Sequence, residues 1–154
     1  MKLAAAAEHI VEDPTEGKGH RRDSSDLMVA PKDHFVQRDG IEFAGTHLII
    51  DLFGAKHLDD MERMESAMRE CVEQCRATLL HIHLHHFTPN GGISGVAVLA
   101  ESHISVHTWP ERDYAAFDVF MCGDSQPENA IAVLKRAFYP KEIDVHEELR
   151  GVLR

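Results

Sequence analysis

The chain has 154 residues, which corresponds to one domain that is large enough to bury a core. Its hydrophobic fraction of 44% and charged fraction of 27% are those of an ordinary globular protein. The formal net charge of −10, from 26 acidic and 16 basic residues, argues against a nucleic acid or an anionic membrane as the partner, because both require a basic face. A cationic small molecule would be attracted to a protein with this negative charge.

The cysteine content and the hydropathy profile bear on location. Three cysteines, an odd number without a dense pattern, predict free thiols in a reducing compartment. No apolar run approaches the roughly 18–20 residues of a membrane span, and the run MKLAAAAEHIVED at the start lacks the features of a signal peptide. We therefore expect a cytoplasmic protein.

Residues 1–40 differ in composition from the remainder of the chain. They contain Pro14, Gly17, Gly19 and the polar cluster RRDSSD, with little apolar periodicity. This composition predicts a disordered N-terminal tail and places the folded domain at residues 41–154.

The folded part begins with an apolar run at 46–53, THLIIDLF, which predicts a buried strand. A helix is predicted over 61–75, with Asp59 or Asp60 as its N-cap. One face of this helix carries an apolar stripe made of Met61, Met64, Met68, Cys71 and Cys75. We expect the stripe to pack in the core rather than to bind a metal, because Met and free Cys are good core residues.

A histidine-rich run at 78–87, TLLHIHLHHF, alternates like a strand. One face would carry Leu80, Ile82 and Leu84. The other face would carry His81, His83 and His85, with His86 beside them. Ligands repeated along a flat strand lie nearly 7 Å apart, so a layer or subunit contact is favoured over a zinc or iron site. A metal enzyme built on this cluster is a distant alternative that metal analysis would test.

Three apolar runs at 93–101, 103–109 and 114–122 predict consecutive strands joined by short connections. The order strand, helix, several strands, helix, strand predicts an α+β fold. We expect a two-layer sandwich in which a largely antiparallel sheet carries both helices on one face. The second face of the sheet then needs a cover or a partner.

The segment 125–128, SQPE, has the pattern of a capping box with its proline in the first turn of a second helix. That helix would turn Ile131, Leu134 and Phe138 inward. Pro140 would end it, since proline cannot continue a helix. A last strand at 142–149 would close the sheet, with Ile143 and Val145 facing inward.

Reactive side chains interrupt the apolar strands within 91–123. A Glu-Ser-His tripeptide at 101–103 lies between VAVLA and ISVHTW, and buried polar groups cost free energy unless they are paired. The strings ESHISVHTWPE and YAAFDVFMCG resemble the pyruvoyl-dependent S-adenosylmethionine decarboxylases of the prokaryotic type. The resemblance covers about residues 45–150.

This resemblance implies an enzyme that makes its cofactor from its own chain. The serine of the Glu-Ser pair attacks the preceding carbonyl, and elimination of the resulting ester leaves a pyruvoyl group. By motif, Ser102 becomes the pyruvoyl group and Glu101 a new carboxyl terminus, which gives chains 1–101 and 102–154. The ketone would form a Schiff base with the substrate amine and accept the electrons released with CO₂. Neither a metal nor pyridoxal phosphate is expected.

The resemblance also implies roles for five further residues. His107 would remove the Cα proton during processing, a task that suits an imidazole titrating near neutrality. Ser94 would stabilise the oxyanion or ester. Cys122 would return a proton to the substrate Cα after CO₂ leaves. Glu111 would bind the ribose hydroxyls or orient the site, and Phe87 would stack on adenine.

Plain structural roles are the alternatives for these residues. His107 could be a hydrogen-bonded strand residue, Ser94 a turn hydroxyl, and Cys122 a buried thiol. Strict alternation also places Ser102 and His107 on opposite faces of the sheet. We therefore expect a bend or bulge near 101–103, since bulges occur beside active sites.

The leading hypothesis is an S-adenosylmethionine decarboxylase that supplies the aminopropyl donor for spermidine. The resemblance implies a homodimer with its sites at the interface, where Glu111 and Cys122 serve a pyruvoyl group on opposite subunits. An arginine or ornithine decarboxylase on the same scaffold is the alternative, because Arg112–Asp113 replaces a more usual aromatic-Gly pair and Asp51 stands where Glu is more usual. A third hypothesis is a non-catalytic, unprocessed relative.

Overall fold

A computed structural model gives the structure of residues 34–154. In chain order the elements are β1 (Val36–Arg38), β2 (Ile41–Phe43), β3 (Gly45–Phe53), α1 (Met61–Gln74), β4 (Leu79–His86), β5 (Ile93–Leu99), β6 (Ser102–Trp109), β7 (Tyr114–Met121), α2 (Asn129–Phe138) and β8 (Glu142–Arg150). A single 3₁₀ turn at Pro110–Arg112 joins β6 to β7. Among these described residues, no helix is long and apolar enough to cross a bilayer.

Six strands form one sheet in the order β4-β5-β6-β7-β3-β8, and every neighbouring pair is antiparallel. Alternation along β3 turns Leu48, Ile50 and Leu52 toward α1 and α2, where all three are buried in a core shared with both helices. The predicted α+β, two-layer architecture is therefore confirmed, with its helices on one face of the sheet.

The helix α1 forms where the apolar stripe predicted it. Asp60 is its N-cap, because Asp60 Oδ1 accepts a hydrogen bond from the Arg63 backbone N–H at 3.0 Å. This hydrogen bond lowers the pKa of the Asp60 carboxyl. The stripe packs in the core as expected, through the fully buried residues Met64, Met68, Cys71 and Cys75. All three cysteines of the chain are free thiols, as predicted.

Two predictions are wrong at the edges of the sheet: Leu80 does not share the partly buried face of Ile82 and Leu84, and Val145 is not buried. The pairing of β4 with β5 shifts between Leu79 and His81, and this bulge leaves Leu80 64% exposed while Leu79 packs against the core. On the opposite edge strand Val145 is 41% exposed, although its partner Ile50 is buried. Periodicity assigns a face to each residue, but it does not show where a strand is bulged or left uncovered.

The capping box predicted at 125–128 does not form. The helix α2 begins at Asn129, and no side chain within the described chain caps it by a hydrogen bond. Instead, tight backbone turns lead into the helix, in which Asn129 N–H donates to the Gln126 carbonyl at 3.1 Å. The Ser125 hydroxyl oxygen is buried without a hydrogen-bond partner among the described residues. The inward side of α2 otherwise matches the prediction, and the helix ends before Pro140.

Ordered structure begins before the predicted domain boundary at residue 41. Val36–Arg38 pairs with Ile41–Phe43 in a two-stranded hairpin, and Phe43 is fully buried. Arg38 forms an ion pair with Glu147 of β8, which ties the hairpin to the sheet. The remainder of the predicted tail, residues 1–33, lies outside the described residues.

The face of the sheet opposite the helices is open in the described chain. It carries large apolar side chains that are about two-fifths exposed, namely Ile49, Phe53, Val98 and Trp109. Polar groups near its middle are paired: His47 contacts Asp118 at 3.0 Å, and Ser105 donates to the same carboxylate at 3.1 Å. The face predicted to need a partner is thus apolar at several points and polar at its centre.

The two candidate N-caps of α1 give a matched pair of variants. We expect Asp60→Ala to lower the free energy of unfolding measurably, because it removes the side-chain acceptor of the Arg63 N–H. Asp59→Ala should change it by less than about 0.5 kcal/mol, as is usual for an exposed residue. Urea unfolding followed by circular dichroism measures both. Equal losses would contradict the assignment of the cap to Asp60.

Candidate active site

The Glu101–Ser102 bond lies at the turn between β5 and β6. Ser102 has a backbone φ of 148°, a conformation that side-chain-bearing residues rarely adopt. Such a conformation costs about 1–3 kcal/mol and persists only where the surrounding structure enforces it. The predicted cleavage bond therefore coincides with backbone strain in the structure.

Contacts on both sides of the junction enforce this conformation. Ser102 is paired in register with Leu99 of β5 and Met121 of β7. The Glu101 carbonyl oxygen accepts a hydrogen bond from the Cys122 N–H at 3.2 Å. The Glu101 carboxylate accepts two more from Thr78, from its backbone N–H at 2.8 Å and from its hydroxyl at 3.1 Å.

The Ser102 hydroxyl has an imidazole beside it. Ser102 Oγ lies 3.1 Å from His103 Nδ1, and the hydroxyl donates a hydrogen bond to this nitrogen in the tautomer that leaves Nδ1 unprotonated. The Cys122 thiol belongs to the same end of β6, because its backbone contacts Glu101. Desolvation, with a smaller contribution from the Glu101 charge, raises the pKa of this thiol. Cys122 is therefore held in the protonated form that a proton donor needs.

Ser94 and His107 form a second cluster at the other end of β6. They are cross-strand partners on the open face, and Ser94 Oγ lies 2.8 Å from His107 Nδ1. Gly95 permits the close packing of β4 here, since a Cβ at this position would lie 2.5 Å from the His83 carbonyl oxygen. Ser94 thus belongs to the strand predicted at 93–101 and is not the turn hydroxyl of the alternative interpretation.

A cavity of about 340 Å³ adjoins this second cluster. It is lined by Ser94 and His107 together with Phe87, Glu111 and Trp109. The loop that carries Phe87 is closed by two backbone hydrogen bonds, from Phe87 N–H to the Gly92 carbonyl and from Gly91 N–H to the Phe87 carbonyl. Four of the predicted site residues therefore share one cavity.

The two clusters are well separated within one chain. Ser102 and His107 are five positions apart on a strand that rises about 3.3–3.4 Å per residue, which places their Cα atoms roughly 17 Å apart. The bulge predicted near 101–103 is absent, because β6 pairs with β5 and β7 in continuous register from Ser102 onward. The predicted site residues form two groups, with Glu101, Ser102 and Cys122 in the first.

Several residues at the site were not predicted. Thr78 and His103 contact the junction, and only His103 lay in the recognised motif. Beside His107, three aromatic rings stack across the open face, Trp109 on Tyr114 at 5.3 Å and Tyr114 on Phe53 at 5.3 Å. Their positions at matching ends of β3, β6 and β7 become visible only once the strand register is known.

The stack is anchored by a polar contact. The Tyr114 hydroxyl donates to Asp51 Oδ1 at 2.5 Å. This hydrogen bond, supported by desolvation, raises the pKa of Tyr114 to about 12. Tyr114 therefore stays neutral at physiological pH.

The histidines of β4 do not gather into a metal site. His81, His83 and His85 alternate on the open side of an edge strand, as the sequence predicted. The ring of His85 packs on Phe87 at 4.5 Å. Among residues 34–154, no three His, Cys, Asp or Glu side chains are arranged to hold a metal ion.

The strained backbone at Ser102 predicts that a glycine substitution there destabilises the protein less than an alanine substitution does. Ser102→Gly should be more stable than Ser102→Ala by about 1 kcal/mol, because glycine adopts a φ of 148° without steric cost. Ser105→Gly and Ser105→Ala, in the regular part of the same strand, should show the ordinary order, with glycine less stable. Urea unfolding of the four variants measures this. A glycine penalty at both positions would contradict strain at Ser102.

The raised pKa of Cys122 predicts slow alkylation. In Ser102→Ala chains, we expect the iodoacetamide reaction at Cys122 to rise only at a pH above that of an ordinary exposed thiol, because the reactive species is the thiolate. Glu101→Gln in the same background should move the midpoint to lower pH, since a negative charge is removed. Mass spectrometry of the alkylated peptides measures both, and the buried Cys71 should stay unmodified. An unchanged midpoint would contradict the charge effect.

The sequence is similar to a known family over most of its length. A family model described as S-adenosylmethionine decarboxylase matches residues 46–151. An S-adenosylmethionine decarboxylase proenzyme from Thermomicrobium roseum is 43% identical over 110 residues, which is 71% of this chain and 95% of that protein. One from Methanococcus maripaludis is 44% identical over 112 residues, which is 71% of this chain and 91% of that protein.

Solved structures agree with this match. The crystal structure of the adenosylmethionine decarboxylase from Aquifex aeolicus VF5 aligns with a TM-score of 0.65 at 33% identity. The alignment covers 73% of this chain and 94% of that one. The chain therefore belongs to the S-adenosylmethionine decarboxylase family.

Proposed function

We propose that this protein is a self-processing S-adenosylmethionine decarboxylase that is cleaved between Glu101 and Ser102. The observation that carries the proposal is the strained Ser102 at the motif position, with its hydroxyl beside an imidazole. The names of the relatives, which call them proenzymes, support a chain that matures by cleavage. Relatives are matched over nearly their whole length, which supports the same activity here.

The cleavage chemistry uses groups at the first cluster. Ser102 Oγ attacks the Glu101 carbonyl carbon while its proton passes to a base, for which His103 is in reach at 3.1 Å. The Cys122 N–H, at 3.2 Å from the carbonyl oxygen, is placed to stabilise the negative charge that develops there. Breakage of the C–N bond with protonation of the Ser102 nitrogen then leaves an ester between Glu101 and the Ser102 oxygen.

The second step needs a base for the Cα proton of Ser102. Its removal breaks the Cβ–Oγ bond of Ser102, which expels the main-chain α-carboxylate of Glu101 as the new chain end. The dehydroalanine that remains takes up water and releases ammonia to give the pyruvoyl group. His107 is the family candidate for this base, and Ser94 at 2.8 Å orients its imidazole. Within one chain His107 is too far away, at roughly 17 Å from Ser102 along the strand.

A second copy of the chain resolves this separation. In a two-fold dimer, each contact made by one end of β6 on one subunit is repeated by the other subunit. The open face, with its partly exposed Ile49, Phe53, Val98 and Trp109, supports such a pairing. We infer that Ser102 and Cys122 of one subunit meet Ser94, His107 and Glu111 of the other, which makes the protein a homodimer.

The cavity beside His107 is then the substrate side of the composite site. Phe87, which is 48% exposed, presents an aromatic surface that suits the adenine, and the Glu111 carboxylate suits the ribose hydroxyls. The pyruvoyl group would supply the electron sink for loss of CO₂. Cys122, whose thiol stays protonated, then delivers a proton to the substrate Cα. The product serves as an aminopropyl donor for spermidine.

The two departures from the family pattern have structural explanations. Asp113 stands where glycine is more usual, and it occupies a left-handed conformation with a φ of 51° that aspartate tolerates. Its carboxylate pairs with Lys56 at 3.0 Å. Asp51 accepts the hydrogen bond from Tyr114. Both carboxylates therefore have partners within the fold, which favours S-adenosylmethionine over arginine or ornithine.

A cytoplasmic location completes the proposal. All three cysteines are free, and burial raises the pKa of Cys75 to about 11. Cys71 and Cys75 lie in the core among apolar residues, which suits a protein that functions in a reducing compartment. The net charge of −10 suits the cationic sulfonium substrate.

Intact mass spectrometry and a substrate assay test the proposal together. We expect the purified protein to contain chains 1–101 and 102–154, the second beginning with a pyruvoyl group, and to release CO₂ from S-adenosylmethionine. Ser102→Ala should remain one chain of 17.3 kDa without activity. An intact wild-type chain would overturn the processing, and release of CO₂ only from arginine or ornithine would overturn the substrate.

Co-expression of two inactive variants tests the composite site. His107→Ala alone should slow cleavage by about 10²–10⁴-fold, because the base is lost. When it is co-expressed with Ser102→Ala, about half of the His107→Ala chains should be cleaved, because a mixed dimer contains one complete site. A mass tag on one chain identifies which is cut. The absence of cleavage in the mixture, with normal cleavage of the wild type, would contradict the shared site.

A further inference from the structure

We propose that Thr78 is a positioning residue for self-cleavage: its two hydrogen bonds to the Glu101 carboxylate hold the scissile bond in its strained conformation. The inference rests on the proposed function, because it concerns the same cleavage at Glu101–Ser102. Thr78 lies outside the recognised motif, directly before β4, and touches the junction from 23 positions away in the chain.

The contact has two parts that engage both carboxylate oxygens. The Thr78 backbone N–H donates to Glu101 Oε2 at 2.8 Å, and its hydroxyl donates to Oε1 at 3.1 Å. Hydrogen bonds to a charged acceptor are shorter and stronger than neutral ones. Because both oxygens are engaged, the side chain of Glu101 cannot rotate without losing at least one bond.

Thr78 also fixes the backbone that precedes the junction. Its carbonyl oxygen accepts a hydrogen bond from the Ala100 N–H at 3.0 Å. Thr78 therefore contacts two consecutive residues. It binds the main-chain N–H of Ala100 and the side-chain carboxylate of Glu101. This is a stronger restraint on the turn than either contact alone.

The unfavourable φ at Ser102 persists only if the chain is held in place on both sides of the Glu101–Ser102 peptide bond. The Ser102 side is held by pairing with Leu99 and Met121 in the sheet. The Glu101 side is held by the Cys122 N–H at its carbonyl and by Thr78 at its carboxylate. If the Glu101 side were free, the turn would relax toward an ordinary φ at Ser102, and the hydroxyl would lose its approach to the carbonyl carbon.

The alternative is that Thr78 merely fastens the start of β4. That role would make Thr78 matter for stability and leave the cleavage rate unchanged. The two roles are separable, because the hydroxyl contacts Glu101 and the main chain provides the link to Ala100. Thr78→Val removes the hydroxyl bond to Glu101 Oε1 at nearly the same side-chain volume. It keeps both main-chain bonds, from the Thr78 N–H to Glu101 Oε2 and from the Ala100 N–H to the Thr78 carbonyl.

The test follows cleavage of newly made chains. Full-length protein is synthesised in a cell-free system with a short labelled pulse, and conversion to the two fragments is followed on denaturing gels. We expect Thr78→Val to slow cleavage about tenfold, the effect of one lost hydrogen bond to a charged group, and Thr78→Ser to stay within about twofold of the wild type. Ser66→Ala, which removes an exposed hydroxyl on α1, should have no effect.

A second variant probes the other partner of the contact. Glu101→Gln leaves only one oxygen to accept two hydrogen bonds, so it should slow cleavage to a similar degree. Adding Thr78→Val to it should slow cleavage by less than the product of the two single effects, because both changes remove the same interaction. Fully multiplicative slowing would show that the residues act separately and would overturn the proposal.

Stability is measured where cleavage cannot interfere. In the Ser102→Ala background, Thr78→Val should leave the urea midpoint nearly unchanged, while a purely structural role would move it. Equal cleavage rates for Thr78→Val and the wild type would overturn the inference about Thr78 alone. A wild-type chain that is never cleaved would instead overturn the proposed function.

Discussion

The continuous pairing of β6 with both of its neighbours is the constraint on which the rest of the site depends. It keeps Ser102 and His107 at opposite ends of a straight, fully paired strand. Bending that strand to bring them together would break ladder hydrogen bonds in the middle of the sheet, and buried unpaired backbone groups are costly. The chain therefore divides its reactive groups between two ends of one sheet, and the face opposite the helices stays partly apolar and open in the described residues.

The elements and the layers of the fold could be predicted from periodicity and turn residues. The stripe on α1 and the alternation in β3 each specify one apolar face, and both faces meet in the same core. The predictions were wrong where tertiary contacts, rather than the local sequence, determine the conformation. A bulge turned Leu80 outward, and backbone turns began α2 in place of the side-chain cap that Ser125 suggested. Neither is encoded by a local pattern of residue types.

The candidate site could be predicted as a set of residue types but not as a distribution in space. Recognition of the motif identified Ser102, His107 and Cys122 because their chemistry is unusual within apolar strands. It could not show that His107 lies far from Ser102, since the motif is one-dimensional and the distance follows from strand rise and register. The contact between Thr78 and Glu101 could not be predicted for the same reason, since it depends on the position at which β4 joins the sheet.

The backbone conformation of Ser102 also gives the reaction a direction. The restraints on either side of the junction act through the peptide bond that joins them, so they can no longer oppose each other once it is broken. In the proposed reaction the Ser102 nitrogen leaves as ammonia, so the strained φ at Ser102 is lost with it and the two new ends no longer carry the groups that a peptide bond needs. Under the proposed chemistry, maturation therefore happens once and the precursor is not regenerated.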